Sequence, residues 1–312
     1  MMLTDTLKMI LPIVIAFCLG ILCRRRRLIS GEGCQTLKTI VSRLMLPVLL
    51  LNAFMFAEYS ADSVILIVTL LLANILIMVI GWLAGHRMGE KGRYLPFLLS
   101  TMECGSIGYP LVTMLFSATG SMQLAILDVG ITIFNFMIAI PLLQMADGKS
   151  PDVRGLLKSA LLSPTMIAML AGIVLGLLRV DELLAAQAPL YGIYSGIVSF
   201  ITAPIGLLIL ITLGYDMSLR RDLLGRVMAV TACRTALMAA VGALSLFVIT
   251  RLTTLRPEML YTVILSFTLP PAFGIVMFAD FEGQRDFVST SISLMTLITL
   301  ALFCVLTVVV PH

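Results

Sequence analysis

The sequence predicts an all-α integral membrane protein with ten transmembrane helices, arranged as two inverted five-helix repeats. Three observations predict this fold class. The 312 residues are 60% hydrophobic and only 12% charged, and the mean hydropathy of +1.08 lies far above that of soluble domains. The connections between apolar stretches are too short for a separate soluble domain. Glycine and proline interrupt two of the apolar stretches at related places in the two halves.

Apolar stretches of membrane-spanning length follow one another along the whole chain. A transmembrane helix needs about 20 such residues. The first stretch is interpreted as a retained span because the basic run Arg24–Arg27 follows it, whereas a signal peptide carries its basic residues before the apolar run. We predict spans at residues 7–23, 37–57, 63–85, 95–117, 121–145, 156–179, 190–214, 223–250, 260–280 and 287–310.

The basic residues are distributed unevenly between the two sides of the predicted spans. The connections that follow odd-numbered spans carry 15 of the 21 lysines and arginines. Basic residues favour the cytoplasmic side, so both termini are predicted on the non-cytoplasmic side of the cell (inner) membrane. This asymmetry accounts for the net charge of +4, and no nucleic-acid partner is predicted. The opposite side carries Lys8, Arg179, Arg251 and Arg256.

The two halves of the chain share short patterns in the same order. Five spans per repeat is an odd number, so the second repeat must be inverted relative to the first. We predict repeats at residues 1–150 and 151–312. The recurring patterns are Pro-x-x-x-Ala-x-x-x-Gly at residues 12–20 and 164–172, Ile-Val-Ser with a later proline at 40–47 and 197–204, and Leu-Ser with a later glycine at 99–108 and 265–274.

Breaks within the predicted spans 4 and 9 indicate a binding site. Residues 103–110 and 269–274 contain the interrupting glycines and prolines, which remove backbone donors and add flexibility. Within the hydrocarbon core, backbone groups without helical partners are tolerated only where protein buries them or where they line a water-filled cavity. Paired breaks in inverted repeats are typical of transporter sites at the membrane midplane. We therefore predict that the two broken helices cross at the midplane.

A half-helix that begins at such a break presents unpaired N–H groups and the positive end of a dipole. These groups suit a carboxylate without any charged side chain. The predicted substrate-binding residues of the two breaks are Gly105, Ser106, Gly108, Tyr109, Pro110, Pro270, Pro271, Ala272 and Gly274.

Charged residues inside spans are costly and mark candidate functional positions. Arg234, Glu103 and Asp128 are all predicted to lie in one central layer of the membrane. Arg234 is predicted to engage a substrate carboxylate, and Glu103 or Asp128 to couple a proton or a cation. Asn135 lies seven residues after Asp128, on the same helix face, and is a secondary candidate. The alternative is that Arg234 only neutralises one of the two acids.

At these motifs the chain resembles the auxin efflux carrier family, including its bacterial members. Gly105, Gly108, Pro110 and Leu111 match the Asn-x-Gly-x-x-Gly-x-Pro-Leu pattern of that family, while Glu103 stands where asparagine is usual. The Leu-Pro-Pro-Ala-Phe-Gly motif of span 9 and the five-plus-five arrangement add to the resemblance.

The resemblance implies the fold of bile-acid sodium symporters, with a scaffold of spans 1, 2, 6 and 7 and a transport core of spans 3–5 and 8–10. It also implies elevator-type transport of small carboxylates such as malate or malonate.

Other functions are less compatible with the sequence. The two histidines, His86 and His312, and six scattered cysteines predict no metal site, no catalytic centre and no cofactor. A receptor would not require paired helix breaks. On the same fold, a sodium-coupled symporter or a cation/proton antiporter stays open as the alternative. The predicted partners are an organic anion, Na⁺ or H⁺ as coupling ion, and the lipid bilayer, with a homodimer left open.

Overall fold

The computed structural model describes residues 2–57, 59–148, 154–155, 158, 161–217, 220–273 and 284–309, and within them it contains helices and no strand. Three π-helical segments, Val41–Met45, Cys104–Gly108 and Phe134–Ala139, continue or join α-helices. The α-helices of the described chain are α1 (Met2–Arg25), α2 (Gly31–Ile40), α3 (Leu46–Met55), α4 (Ala61–Arg87), α5 (Leu95–Ser100), α6 (Tyr109–Ile133), α7 (Ile140–Ala146), α8 (Pro164–Leu177), α9 (Val180–Ala185), α10 (Ala188–Thr202), α11 (Ile205–Asp216), α12 (Leu224–Leu252), α13 (Pro257–Ser266) and α14 (Arg285–Val309).

Six helical segments of the described chain are long and apolar enough to cross a membrane. Their length and composition agree with the predicted all-helical membrane protein. The four other predicted spans correspond to α1, to the interrupted segment 95–117, to α8 and to α13. The six segments are Gly31–Met55, Ala61–Arg87, Thr119–Ala146, Ala188–Asp216, Arg221–Leu252 and Arg285–Val309.

The connection predicted between spans 4 and 5 falls inside α6, which is assigned without interruption. Residues eight apart in a straight α-helix are separated by about 12 Å along its axis. A Cβ atom on Gly120, however, would lie only 2.7 Å from the carbonyl oxygen of Val112 and 2.9 Å from the Cβ of Phe116. The helical chain therefore reverses sharply between Val112 and Gly120, at the place where the sequence predicts the connection.

The chain divides into two compact units, and the first consists of residues Met1–Glu58, Gly105–Ala125 and Ala160–Met217. Within it, α1 packs against α11 and α3 packs against α8. The end of α11 is held by polar contacts, because Arg24 donates to the carbonyl oxygen of Met217 (2.7 Å) and Lys38 pairs with Asp216.

Two glycines of the first unit make the same contact with different partner helices. A Cβ on Gly20 would collide with the carbonyl oxygen of Ile211 and lie 2.9 Å from the nitrogen four residues later, on Tyr215. A Cβ on Gly172 would lie 2.7 Å from the carbonyl oxygen of Leu51 and 3.2 Å from the nitrogen four residues later. Gly20 and Gly172 are the matching glycines of the repeated Pro-x-x-x-Ala-x-x-x-Gly pattern. Small residues thus let backbones approach closely in both helix pairs.

The second unit consists of residues Tyr59–Cys104, Ile126–Ser159 and Ser218–His312. In it α4 packs against α5 and α12, and α12 also packs against α13 and α14. Gly81 of α4 lies against the backbone of Pro96, and Gly130 lies against the carbonyl oxygen of Ile67. These close approaches set α4 against both the beginning of the interrupted segment 95–117 and the second half of α6.

Replacing Gly20 with alanine should destabilise the protein, because the added methyl group has no space between α1 and α11. Overpacking a tight contact of this kind costs about 1–3 kcal/mol. Gly196→Ala in α10 is the matched control, since no atom lies within 4 Å of its Cβ position. Thermal unfolding in detergent should show a lower midpoint for Gly20→Ala only. Equal midpoints for the two variants would contradict the close approach.

Candidate functional site

The predicted break in span 4 is present, but it lies earlier than the sequence suggested. Helix α5 ends at Ser100, residues 101–103 are not helical, and the π-helix Cys104–Gly108 leads directly into α6. Of the predicted break at residues 103–110, only Glu103 is therefore non-helical, and the expected unwinding at Gly105, Gly108 and Pro110 is wrong. Pro110 is the second residue of α6, and a proline in the first turn of an α-helix begins the helix instead of breaking it.

The break in span 9 lies where the sequence places it. Helix α13 ends at Ser266, and residues 269–272, with Pro270 and Pro271 at their centre, are not helical. Gly274, which was also predicted to belong to this break, lies outside the described residues.

The two non-helical segments are hydrogen-bonded to each other. The backbone N–H of Glu103 donates to the carbonyl oxygen of Pro270 (2.9 Å). The N–H of Ala272 donates to the hydroxyl of Thr101 (3.2 Å), and the N–H of Phe273 donates to the carboxylate Oε2 of Glu103 (2.7 Å). Each break therefore supplies partners to the backbone groups that the other break leaves without a helical partner. We call residues 101–103 and 270–273 the crossing segments.

Arg234 of α12 is bonded to carbonyl oxygens beside the crossing segments. Its Nη1 donates to Leu98 (2.6 Å) and Leu99 (2.5 Å), and its Nη2 donates to Thr101 (2.8 Å) and Leu269 (2.9 Å). The residue is 4% exposed. The last four carbonyls of a helix have no intrahelical partner, and they form the negative end of its dipole. Arg234 therefore caps the end of α5 and at the same time binds the segment that follows α13.

This geometry bears on the two roles that the sequence left open for Arg234. Among the described residues, its charge is balanced by carbonyl dipoles and it forms no ion pair with Glu103 or Asp128. The Glu103 carboxylate instead accepts from the backbone of Phe273. Both terminal nitrogens of Arg234 are committed to carbonyls, so a substrate carboxylate would have to displace those bonds in order to reach the guanidinium.

The predicted coupling residues gather around the break in span 4. Asp128 is 8% exposed and its Oδ1 accepts from the hydroxyl of Thr132 (3.1 Å). The charges of Asp128 and Glu103 both act on the neighbouring thiol of Cys104. Asn135 donates from Nδ2 to the carbonyl oxygen of Met102 (3.2 Å). Two carboxylates and one amide thus lie beside the non-helical residues.

The remaining predicted residues belong to the other compact unit. Gly105, Ser106 and Gly108 form the π-helix, and Tyr109 and Pro110 begin α6. All five are buried or half-buried, and the structure groups them with the first unit rather than with the crossing segments.

Thr101 joins the two segments as well, although the sequence gives only a weak indication of this role. Its hydroxyl donates to the carbonyl oxygen of Phe97 (2.7 Å) while it accepts from Ala272, so it joins the end of α5 to the second crossing segment. The sequence feature that could have indicated this role is a hydroxyl residue close to the predicted break. Intrahelical back-bonding by serine or threonine is common, so the signal has low specificity.

Comparison with known proteins points to transport. No protein-family model matches the chain. A protein of Methanothermobacter thermautotrophicus described as an "Uncharacterized transporter" is 23% identical over 222 residues, which cover 70% of this chain and 68% of the relative. Together with the apolar helices, this similarity supports a membrane transporter in general.

Replacing Arg234 with methionine should strongly destabilise the protein, because it leaves buried carbonyls without partners. Hydrogen bonds to charged groups contribute about 1.5–3 kcal/mol each, so a loss of about 3 kcal/mol or more is expected. Arg234→Lys should fall between wild type and Arg234→Met, since lysine keeps the charge but lacks the planar fork.

Arg251→Met on the exposed end of the same helix is the control, and thermal unfolding in detergent is the measurement. A midpoint for Arg234→Met equal to that of Arg251→Met would contradict the capping role.

Proposed function

We propose that this protein is a secondary transporter for a small organic anion, a mono- or dicarboxylate such as malate or malonate, and that it works by elevator-type alternating access. The observation that carries the proposal is the set of hydrogen bonds between the two non-helical segments, residues 101–103 and 270–273, as expected where two broken helices cross. Such crossings supply transporter binding sites near the midplane. The name of the similar archaeal protein supports transport over enzymatic activity.

The proposal includes the architecture that the sequence predicted. It comprises ten spans in two inverted repeats, both termini on the non-cytoplasmic side, and membership of the auxin efflux carrier family. The equivalent contacts of Gly20 and Gly172 support an internal repeat. The division into compact units supports a separate scaffold and core in part, because the first unit contains the predicted spans 1, 2, 6 and 7 and the second contains spans 3, 8, 9 and 10. The first unit also contains Gly105–Ala125, which the proposed arrangement assigns to the core.

We propose that Glu103 couples a proton to the substrate. In the structure its carboxylate accepts the N–H of Phe273, a backbone donor that a substrate carboxylate would also use. An ionised Glu103 both occupies this donor and repels an anion. Protonation of Glu103 removes the charge and weakens the bond to Phe273. Proton binding and anion binding would then promote each other, as linkage requires.

A sodium-coupled symporter, or a cation/proton antiporter, is the second candidate. Glu103 and Asp128 both lie close to Cys104, and Asp128 carries the hydroxyl of Thr132 on one oxygen. Carboxylate and hydroxyl oxygens are ligands that suit a hard cation. Sodium would then take the place that the leading proposal gives to the proton.

The first functional test measures uptake of labelled dicarboxylates into proteoliposomes, after a thermal-shift screen of carboxylates has identified a stabilising substrate. An inward proton gradient should accelerate uptake by the wild type. Glu103→Gln should keep downhill uptake but lose its dependence on the proton gradient, because glutamine cannot exchange the proton.

Glu182→Gln is the matched control, because Glu182 is exposed on α9 and its side chain is 61% accessible. Acceleration by sodium without a proton gradient would favour the second candidate. An absence of stabilisation and uptake for every carboxylate would overturn the proposed substrate class.

Pro271→Ala should slow transport while it changes stability little. Pro271 separates Pro270, whose carbonyl accepts from Glu103, from Ala272, whose N–H donates to Thr101. Alanine permits helical geometry in this segment and removes the restriction that proline imposes. Pro257→Ala, at the first position of α13, is the control in the same uptake assay. Equal rates for both variants would contradict a functional role of the break.

A further inference from the structure

A cavity of about 340 Å³ lies within the second unit, between α12, the end of α13 and α14. It is separate from the hydrogen bonds that join the crossing segments, although it reaches the residues next to them. Representative lining residues are Met238, Gly242, Phe267, Leu269, Met295 and Leu302.

The cavity lies at the middle of both long helices. On α12 its lining extends from Thr231 to Leu246, which leaves about 9–10 Å of helix on either side. On α14 the lining runs from Met295 to Leu302, again far from both helix ends. A span that crosses the membrane carries its central residues through the hydrocarbon core. An occupant of this cavity would therefore lie at the depth of the hydrocarbon core.

The polar groups in the lining already have partners inside the protein. The hydroxyls of Thr231 and Thr235 donate to backbone carbonyls of α12. Those of Thr268 and Thr299 donate to carbonyls of Leu265 and Thr268. Arg234 has its terminal nitrogens on four carbonyls. A polar ligand would lose its own hydrogen bonds on entry and gain few in return, whereas an apolar ligand has none to lose.

Small residues on α12 create the space. One face of α12 carries three small residues at helical spacing, namely Ala239, Gly242 and Ala243. Gly242 lies against the ring of Phe267. In membrane proteins such residues usually let two helices touch, but here they line an open slot. Its volume of about 340 Å³ exceeds the roughly 150 Å³ of an apolar cavity that accepts benzene, and its lining on α12 extends over about 22 Å of the helix axis. A long, narrow, apolar volume fits an extended hydrocarbon chain better than a compact molecule.

We propose that this cavity binds one acyl chain of a membrane lipid. The chain packs along α12 and α14 and ends against Phe267 and Leu269, directly before the Pro270 break. It fills a volume that would otherwise leave apolar side chains without packing partners. The site does not depend on the proposed transport function, since it follows from the depth, shape and chemistry of the lining alone.

The test uses photolabelling of the full-length protein in vesicles that contain phosphatidylcholine with a diazirine group on the acyl chain. After irradiation, mass spectrometry of peptides locates the label. We expect label on the peptides that contain Met238 and Met295. Ala239→Phe should lose most of it, because the new ring occupies the slot. Ala240→Phe is the matched control, since Ala240 is exposed on the same helix and lies outside the lining.

Three outcomes would overturn the proposal. Label spread evenly over all lipid-exposed helices would indicate unspecific solvation. Loss of label on addition of a soluble carboxylate would indicate a pocket for a polar solute. Unchanged labelling of Ala239→Phe would show that the label does not come from the slot. Ala243→Leu provides an independent filling variant, and thermal unfolding verifies that each variant is folded.

Discussion

The bonds from Arg234 to four backbone carbonyls are the interaction that joins the end of α5 to the non-helical segment after α13. A helix that stops inside a membrane leaves carbonyls that lipid cannot satisfy. The end of α5 presents Leu98 and Leu99 in this way, and Leu269 follows the end of α13. A planar guanidinium offers several donors in a fixed fork, so one side chain binds both interrupted segments. Its charge is compensated by the negative ends of helix dipoles, which explains how a buried arginine is tolerated although no acid of the described chain forms an ion pair with it.

The negative charge of the site, on Glu103, is bound by a backbone N–H group. Glu103 accepts the N–H of Phe273, a donor that follows the two prolines of the span 9 break. The cation thus lies against carbonyl groups and the anion against an amide group, and the two side chains do not neutralise each other. Such a separation keeps the region polarised.

Local sequence signals predicted the apolar helices and the approximate position of both breaks, but not the details of the site. Pro110 is an example, because the same residue can end one helix or begin the next, and here it begins α6. The position where α5 ends depends on bonds to Pro270 and Ala272, which lie far away in the sequence. The sequence also could not show which group pairs with Arg234, because that group lies far away along the chain. An arginine inside a span indicates a compensating group, yet only the packing of α12 decides whether that group is an acid, a substrate or a set of carbonyls.

If the two halves are inverted repeats, as we propose, Arg234 has an equivalent position in the first half, and the residues at these two positions must differ. Leu51 and Ile211, which make the matching contacts with Gly172 and Gly20, are 160 residues apart, and the same offset leads from Asn74 to Arg234. Asn74 is fully buried, and neither polar atom of its side chain has a partner in the described part of the chain. The negative ends of two half-helices together amount to roughly one elementary charge. One guanidinium balances that charge, and a second arginine at the equivalent position would add an uncompensated cation inside the membrane. The two repeats therefore have to differ at this position, with the neutral amide of Asn74 in one half and the charged guanidinium of Arg234 in the other.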